Sequence, residues 1–108
     1  MRFTDQFEKE HDISLFATTY AVNGNMALMA FENEEPYACL TDNFGKVPHG
    51  FAFMNDDKFP EIIKELVDMK IAIPTGIYND SGYCTYHLYR FDLHKLKENA
   101  SITSTYRF

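Results

Sequence analysis

The stretch that most constrains this chain is residues 74–93, Pro-Thr-Gly-Ile-Tyr-Asn-Asp-Ser-Gly-Tyr-Cys-Thr-Tyr-His-Leu-Tyr-Arg-Phe-Asp-Leu. It holds four of the seven tyrosines, Tyr78, Tyr83, Tyr86 and Tyr89, and two glycines, Gly76 and Gly82, that read as turns. Residues 83–91 are aromatic and β-prone enough for a central strand. Alternation sends Cys84, Tyr86, Leu88 and Arg90 one way and Tyr83, Thr85, His87, Tyr89 and Phe91 the other. Neither face is wholly polar, so both are expected to be covered, one by a helix and one by a loop or a partner. Tyrosine suits such a place because its ring buries area while its hydroxyl finds water or a carbonyl.

The rest of the chain supplies strands for that one to join. Residues 1–12 are charged, with Phe3 and Phe7 four apart, and read as a short helical turn or a frayed lead-in. From Ile13 the period is two, up to the hairpin chemistry of Asn23-Gly24-Asn25. Residues 26–33 run back, and a third strand at 37–41 follows Glu34-Glu35-Pro36, giving a meander. Phe51, Phe53 and Met54 make residues 46–57 too apolar for a plain loop, so an extra strand is expected there.

The helix at about 58–70 is the clearest local signal. Phe59, Ile62, Ile63, Leu66, Val67 and Lys70 share one face, Pro60 fits the first turn, and Asp56-Asp57 suit its positive end. A short helix at 92–99, with Asp92 as its N-cap, and an edge strand or loose tail at 100–108 complete the reading. The expected fold is one α+β domain, residues 1–108, in which an antiparallel sheet of four or five strands carries the main helix on one face. Its two ends, 1–12 and 100–108, are the segments expected to be loose.

Charge and cysteine usage narrow the function classes. The net charge is −6, and residues 1–44 hold eight acids against Arg2 and Lys9, while the acids and bases of 45–108 cancel. Phosphate-backbone binding needs a basic patch, so direct nucleic-acid binding is not expected; the charge permits a basic protein partner, and solubility alone also accounts for it. No apolar run approaches a membrane span, and the first residues lack an apolar signal core, so a cytoplasmic protein with reduced Cys39 and Cys84 is expected, a disulfide staying open.

Catalytic motifs are missing. His11, His49, His87, His94 and the two cysteines show no paired metal-ligand spacing. Ser81-Gly82 lacks the preceding glycine of a nucleophile elbow, and the dispersed glycines form no phosphate loop. No catalytic residue, metal or cofactor is therefore assigned. The remaining feature is acidic: Glu32, Glu34, Glu35 and Asp42 bracket the second and third strands, as solvated turns or as a charged edge.

Several runs resemble a family of small uncharacterised proteins carried by conjugative elements, plasmids and phages of gut bacteria. They are Asn23-Gly24-Asn25-Met26-Ala27-Leu28, Glu35-Pro36-Tyr37-Ala38-Cys39-Leu40-Thr41, Ile73-Pro74-Thr75-Gly76, Ser81-Gly82-Tyr83-Cys84-Thr85-Tyr86 and Tyr89-Arg90-Phe91-Asp92-Leu93. In size, charge and setting the chain is also similar to small anti-CRISPR inhibitors of RNA-guided nucleases. The resemblance implies a non-enzymatic inhibitor of a host defence protein, such as a Cas9-type nuclease or its guide-RNA complex. Glu32, Glu34, Glu35 and Asp42 are then expected to meet the partner together with Tyr78 and Tyr83. The alternatives are a small enzyme or nucleic-acid modifier with a Tyr/Cys-lined pocket, and a regulatory or structural module of a conjugation system.

Overall fold

The computed structural model describes residues 1–103 and 106–108. β3 (Ser14–Thr19) and β4 (Met26–Glu32) pair antiparallel around the Asn-Gly turn, where Gly24 takes φ 73° and its N–H donates to Tyr20 O at 2.8 Å. Asn25 is buried beneath that turn. Its amide donates to Asn43 Oδ1 at 2.9 Å and Gly45 O at 2.7 Å and accepts from Val47 N–H at 3.2 Å, so a distant loop is tied down here.

Asn33 and Glu34, at φ 52° and 66°, turn the chain into β5 (Glu35–Cys39). The single third strand expected at 37–41 breaks at Leu40. Leu40 is buried and its N–H donates to Leu28 O at 2.9 Å, after which β6 (Thr41–Asp42) leaves to pair with β7 (Phe51–Asn55). That corner divides the strands between two sheets. One has the order β10 (Ala100–Ile102), β3, β4, β5, with β10 parallel to β3. The other runs β6, β7, β9 (Cys84–Phe91), β8 (Ala72–Ser81).

The mixed α+β content agrees with the sequence, but two four-stranded sheets replace the single antiparallel sheet of four or five strands. The reason is burial: each sheet has an apolar face to cover. Leu15, Met26 and Leu28 of the first join Ala52, Met54, Tyr89 and Phe91 of the second in one buried cluster.

α1 (Pro60–Asp68) follows the apolar period, and its Ile62, Ile63 and Leu66 enter the same cluster. It contacts β1 (Arg2–Thr4) and β8. Asp56 and Asp57 do not cap it: Phe59 is the N-cap, without a side-chain bond, and both aspartates reach β9 instead. The Asp57 carboxylate accepts from Thr85 N–H at 2.9 Å and Asp56 from the Tyr89 hydroxyl at 2.5 Å. α2 (Leu93–Asn99) is capped as its sequence suggests, Asp92 accepting from Lys95 N–H at 3.1 Å.

Gly82 makes the β8–β9 turn. Gly76 makes none; it sits at φ 82° inside β8, where the pairing shifts register between Pro74 and Tyr78. Pro74 is tolerated because β8 is an edge strand.

The first twelve residues are neither a helical turn nor frayed. β1 and β2 (Glu10–Asp12) form an antiparallel ribbon whose turn is closed by Asp5, which accepts from Phe7 and Lys9 N–H at 2.8 and 3.0 Å. Phe3 is buried and Phe7 is 81% exposed, so the two do not share a face. The tail forms an edge strand over 100–102, and Ser104 and Thr105 lie outside the described residues. No helix among the described residues is long and apolar enough to cross a membrane.

Candidate functional site

The corner at Leu40 opens a groove of about 600 Å³ between the two sheets. Tyr37 and Cys39 line it from the first sheet, Tyr20 from the residue after β3, Asp42 and Tyr86 from the second sheet, and Lys58 from the loop before α1. A second hollow of about 260 Å³ shares Tyr37 and Lys58 with the first. Its other walls include Asp5 and Phe7 of the ribbon turn, Asp57, and Glu61 of α1. Together the two hollows form a trough with four carboxylates (Asp5, Asp42, Asp57 and Glu61) and one ammonium, that of Lys58, among the described residues.

One of its phenols, Tyr20, is held in place by hydrogen bonds. Tyr20 meets the carbonyl oxygen and hydroxyl of Thr41, each at 3.0 Å, and burial pushes its hydroxyl up to about 12. Tyr37 is also raised, by burial first and then by the charges of Glu32, Asp5 and Glu61. Burial raises the Asp42 carboxyl, an effect Lys58 partly offsets. A cation entering here would pair with carboxylates and lie against tyrosine faces. The Cys39 thiol donates to Thr41 O at 3.4 Å.

Within the ribbon, the buried His11 of β2 lies between two carboxylates. Its Nδ1 is 2.6 Å from Glu32 Oε2 and its Nε2 2.8 Å from Asp5 Oδ2. The ring stacks on Phe3 with centroids 4.8 Å apart and meets Tyr37 at 5.3 Å. Hydrogen bonds donated to Asp5 and then to Glu32 raise the imidazole above its ordinary value, and accepting from His11 lowers Asp5.

The six residues singled out from sequence are dispersed. Glu32 is engaged with His11, Glu34 and Glu35 are exposed at the β4–β5 turn, and Asp42 faces the groove. Tyr83 is fully exposed in the β8–β9 turn, and Tyr78 is 61% exposed on β8, 6.1 Å from the His87 ring. No hydrogen bond or ring contact among the described residues joins these tyrosines to those acids.

Sequence reasoning missed Asp5, His11, Tyr20, Tyr37, Asp57, Lys58 and Glu61, which only the corner and the ribbon bring together. No group of three or more metal-capable side chains gathers among the described residues.

Fold and site thus define an α+β protein whose two sheets close on an acidic, tyrosine-lined trough. By family it belongs to DUF4313, a domain of unknown function whose model matches residues 14–103. No curated protein and no solved structure matches the chain. The β1–β2 ribbon, with Asp5, Phe7 and His11, lies outside the matched span.

Proposed function

We propose that the chain is a cytoplasmic, non-enzymatic inhibitor from a mobile element that binds a basic, nucleic-acid-handling host protein of the CRISPR-nuclease kind. The observation that carries this reading is the trough, where four carboxylates and three tyrosines face one lysine. Lysine or arginine side chains that normally hold phosphates would enter it, paired by Asp42 and Asp57 and flanked by Tyr37 and Tyr86. Glu34 and Glu35 would steer the encounter from the exposed hairpin, and Tyr78 and Tyr83 would anchor the second hairpin on the partner.

The test is a cleavage assay with a Cas9-type nuclease loaded with its guide RNA. Inhibition should saturate near one chain per complex, and full cleavage at about tenfold molar excess over a nanomolar target would reject this nuclease as the partner. A second reading, a small enzyme or nucleic-acid modifier, has one observation in its favour: Cys39 shares the groove with Tyr20, Tyr37 and Tyr86. Activity at about a hundredth of the target concentration, accumulating with time, would favour it, because only a catalyst turns over.

A further inference from the structure

We propose that His11 is a proton-operated pin: while both ring nitrogens carry hydrogen it fastens the β1–β2 ribbon to β4, and losing one proton frees the ribbon turn that walls the trough. The argument begins with valence. An ionised carboxylate only accepts hydrogen bonds, and a neutral imidazole has one N–H to give. Both ring nitrogens of His11 lie within 2.8 Å of a carboxylate oxygen, so both bonds exist together only in the imidazolium. Take one proton away, and a ring nitrogen lone pair faces a carboxylate across a buried contact.

The groups around the ring make this arrangement specific. Asp5 comes from the ribbon turn, Phe3 from β1, Glu32 from β4 and Tyr37 from β5, while Glu61 of α1 and Lys58 stand across Tyr37. Among the described residues, His11 is the one cation in ion-pair range of Asp5 and Glu32. Glu32 also stands directly opposite Glu35 in the β4–β5 ladder, a like-charge pairing that the imidazolium relieves.

Asp5 couples the ring to the trough. Its Oδ2 takes the His11 bond, while its Oδ1 takes the N–H groups of Phe7 and Lys9 that close the turn. Asp5, Gln6 and Phe7 are one wall of the smaller hollow. The sign follows from the raised imidazole: the pin is fully set below about pH 6.5 and is lost as pH rises through the higher folded-state midpoint. Asp5 is lowered, so acid releases the pin only once pH falls through that carboxyl's own midpoint. The effect on partner binding rests on the docking reading above; the pin itself does not.

The experiment titrates the intact chain from about pH 5.5 to about pH 8.5, the window in which histidine changes charge. Ring-nitrogen NMR of His11 is recorded beside amide protection factors for Phe7 and Lys9, and beside fluorescence anisotropy with decalysine, whose amines stay charged throughout. Expected are two protonated ring nitrogens at the acid end. Phe7 and Lys9 protection should then fall with His11's own midpoint, about tenfold for each pH unit by which that midpoint exceeds the ordinary imidazole value.

His11→Gln should start at the low protection and show no such step. A ring that stays singly protonated, or ribbon protection that ignores its titration in the wild type, overturns the pin even if the variant misfolds. Decalysine affinity that falls with the same midpoint supports control of the trough, and pH-independent decalysine binding on a loosened ribbon overturns that control. Should decalysine bind at no pH while the ribbon still loosens with His11, the docking reading fails and the pin stands.

Discussion

Replacing Tyr89 by phenylalanine isolates one hydrogen bond. The ring is 5% exposed between the sheets and its hydroxyl donates to Asp56 Oδ2 at 2.5 Å. Phenylalanine keeps the ring, so the loss is that of a hydrogen bond to an ionised group, about 1.5–3 kcal/mol. The neighbourhood offers little compensation: Asp56 Oδ1 has no partner among the described residues, and His87 Nδ1 lies 3.5 Å from Oδ2. For a chain of this length the loss corresponds to a Tm lower by roughly 6–13 °C, with the urea midpoint falling at unchanged m-value.

Asp56→Asn retains an acceptor and should cost less, and the double variant should lose less than the two single losses added together. Burial and then the Asp56 bond hold the Tyr89 phenol above its ordinary value. Its contribution is therefore complete below about pH 10 and lost as pH rises through the folded-state midpoint, so wild type should lose more stability in alkali than Tyr89→Phe. A loss under about 0.5 kcal/mol in urea melts, or strictly additive effects with Asp56→Asn, would refute this account of the Asp56 loop as a clamp on β9.

Three further outcomes are expected. Leu66→Ala, at a fully buried position of α1, should cost about 2–5 kcal/mol in urea melts, and under about 1 kcal/mol would mean that the helix presents another face to the core. Asn25→Ala removes the amide that gathers Asn43, Gly45 and Val47; it should cost about 1–3 kcal/mol and strip hydrogen-exchange protection from the Val47 amide. Glu34→Gln with Glu35→Gln should leave melting within about 0.5 kcal/mol of wild type while weakening decalysine association at low salt, and unchanged association there would remove this hairpin from the binding surface.

Local chemistry made much of the fold legible. The apolar period of α1, the Asn-Gly turn, the Asp92 cap and the aromatic strand β9 all depend on near neighbours, and each forms where the residues indicate. What stayed hidden depends on which distant strand wins a pairing. Alternation continues from Tyr37 through Thr41 without a break, so nothing local marks Leu40 as the residue at which β6 abandons β4 for β7. The ribbon was hidden for a related reason: Phe3 and Phe7 have helical spacing, and only burial reveals that Phe3 partners His11 while Phe7 faces solvent.

The acidic N-terminal part shows why a charge count alone could not locate the site. Glu32, Glu34, Glu35 and Asp42 sit within eleven positions of one another, yet the fold gives them three different environments. Glu32 is taken up by His11, so replacing it would disturb the ribbon as well as the surface. Glu34 and Glu35 are solvated and screened, which suits them to steering an encounter more than to holding a complex. Asp42 is half-buried against phenols and not taken up by a histidine, so a partner's cation would be drawn there into lower dielectric and paired at close range. Asp57 and Glu61, which belong to the electrically balanced part of the sequence, stand on the other side of the same trough and contribute as much as the acids of the excess. On the docking proposed above, attraction for a basic partner would therefore follow from the corner at Leu40, which sets these carboxylates around Tyr37, more than from the net charge of the chain.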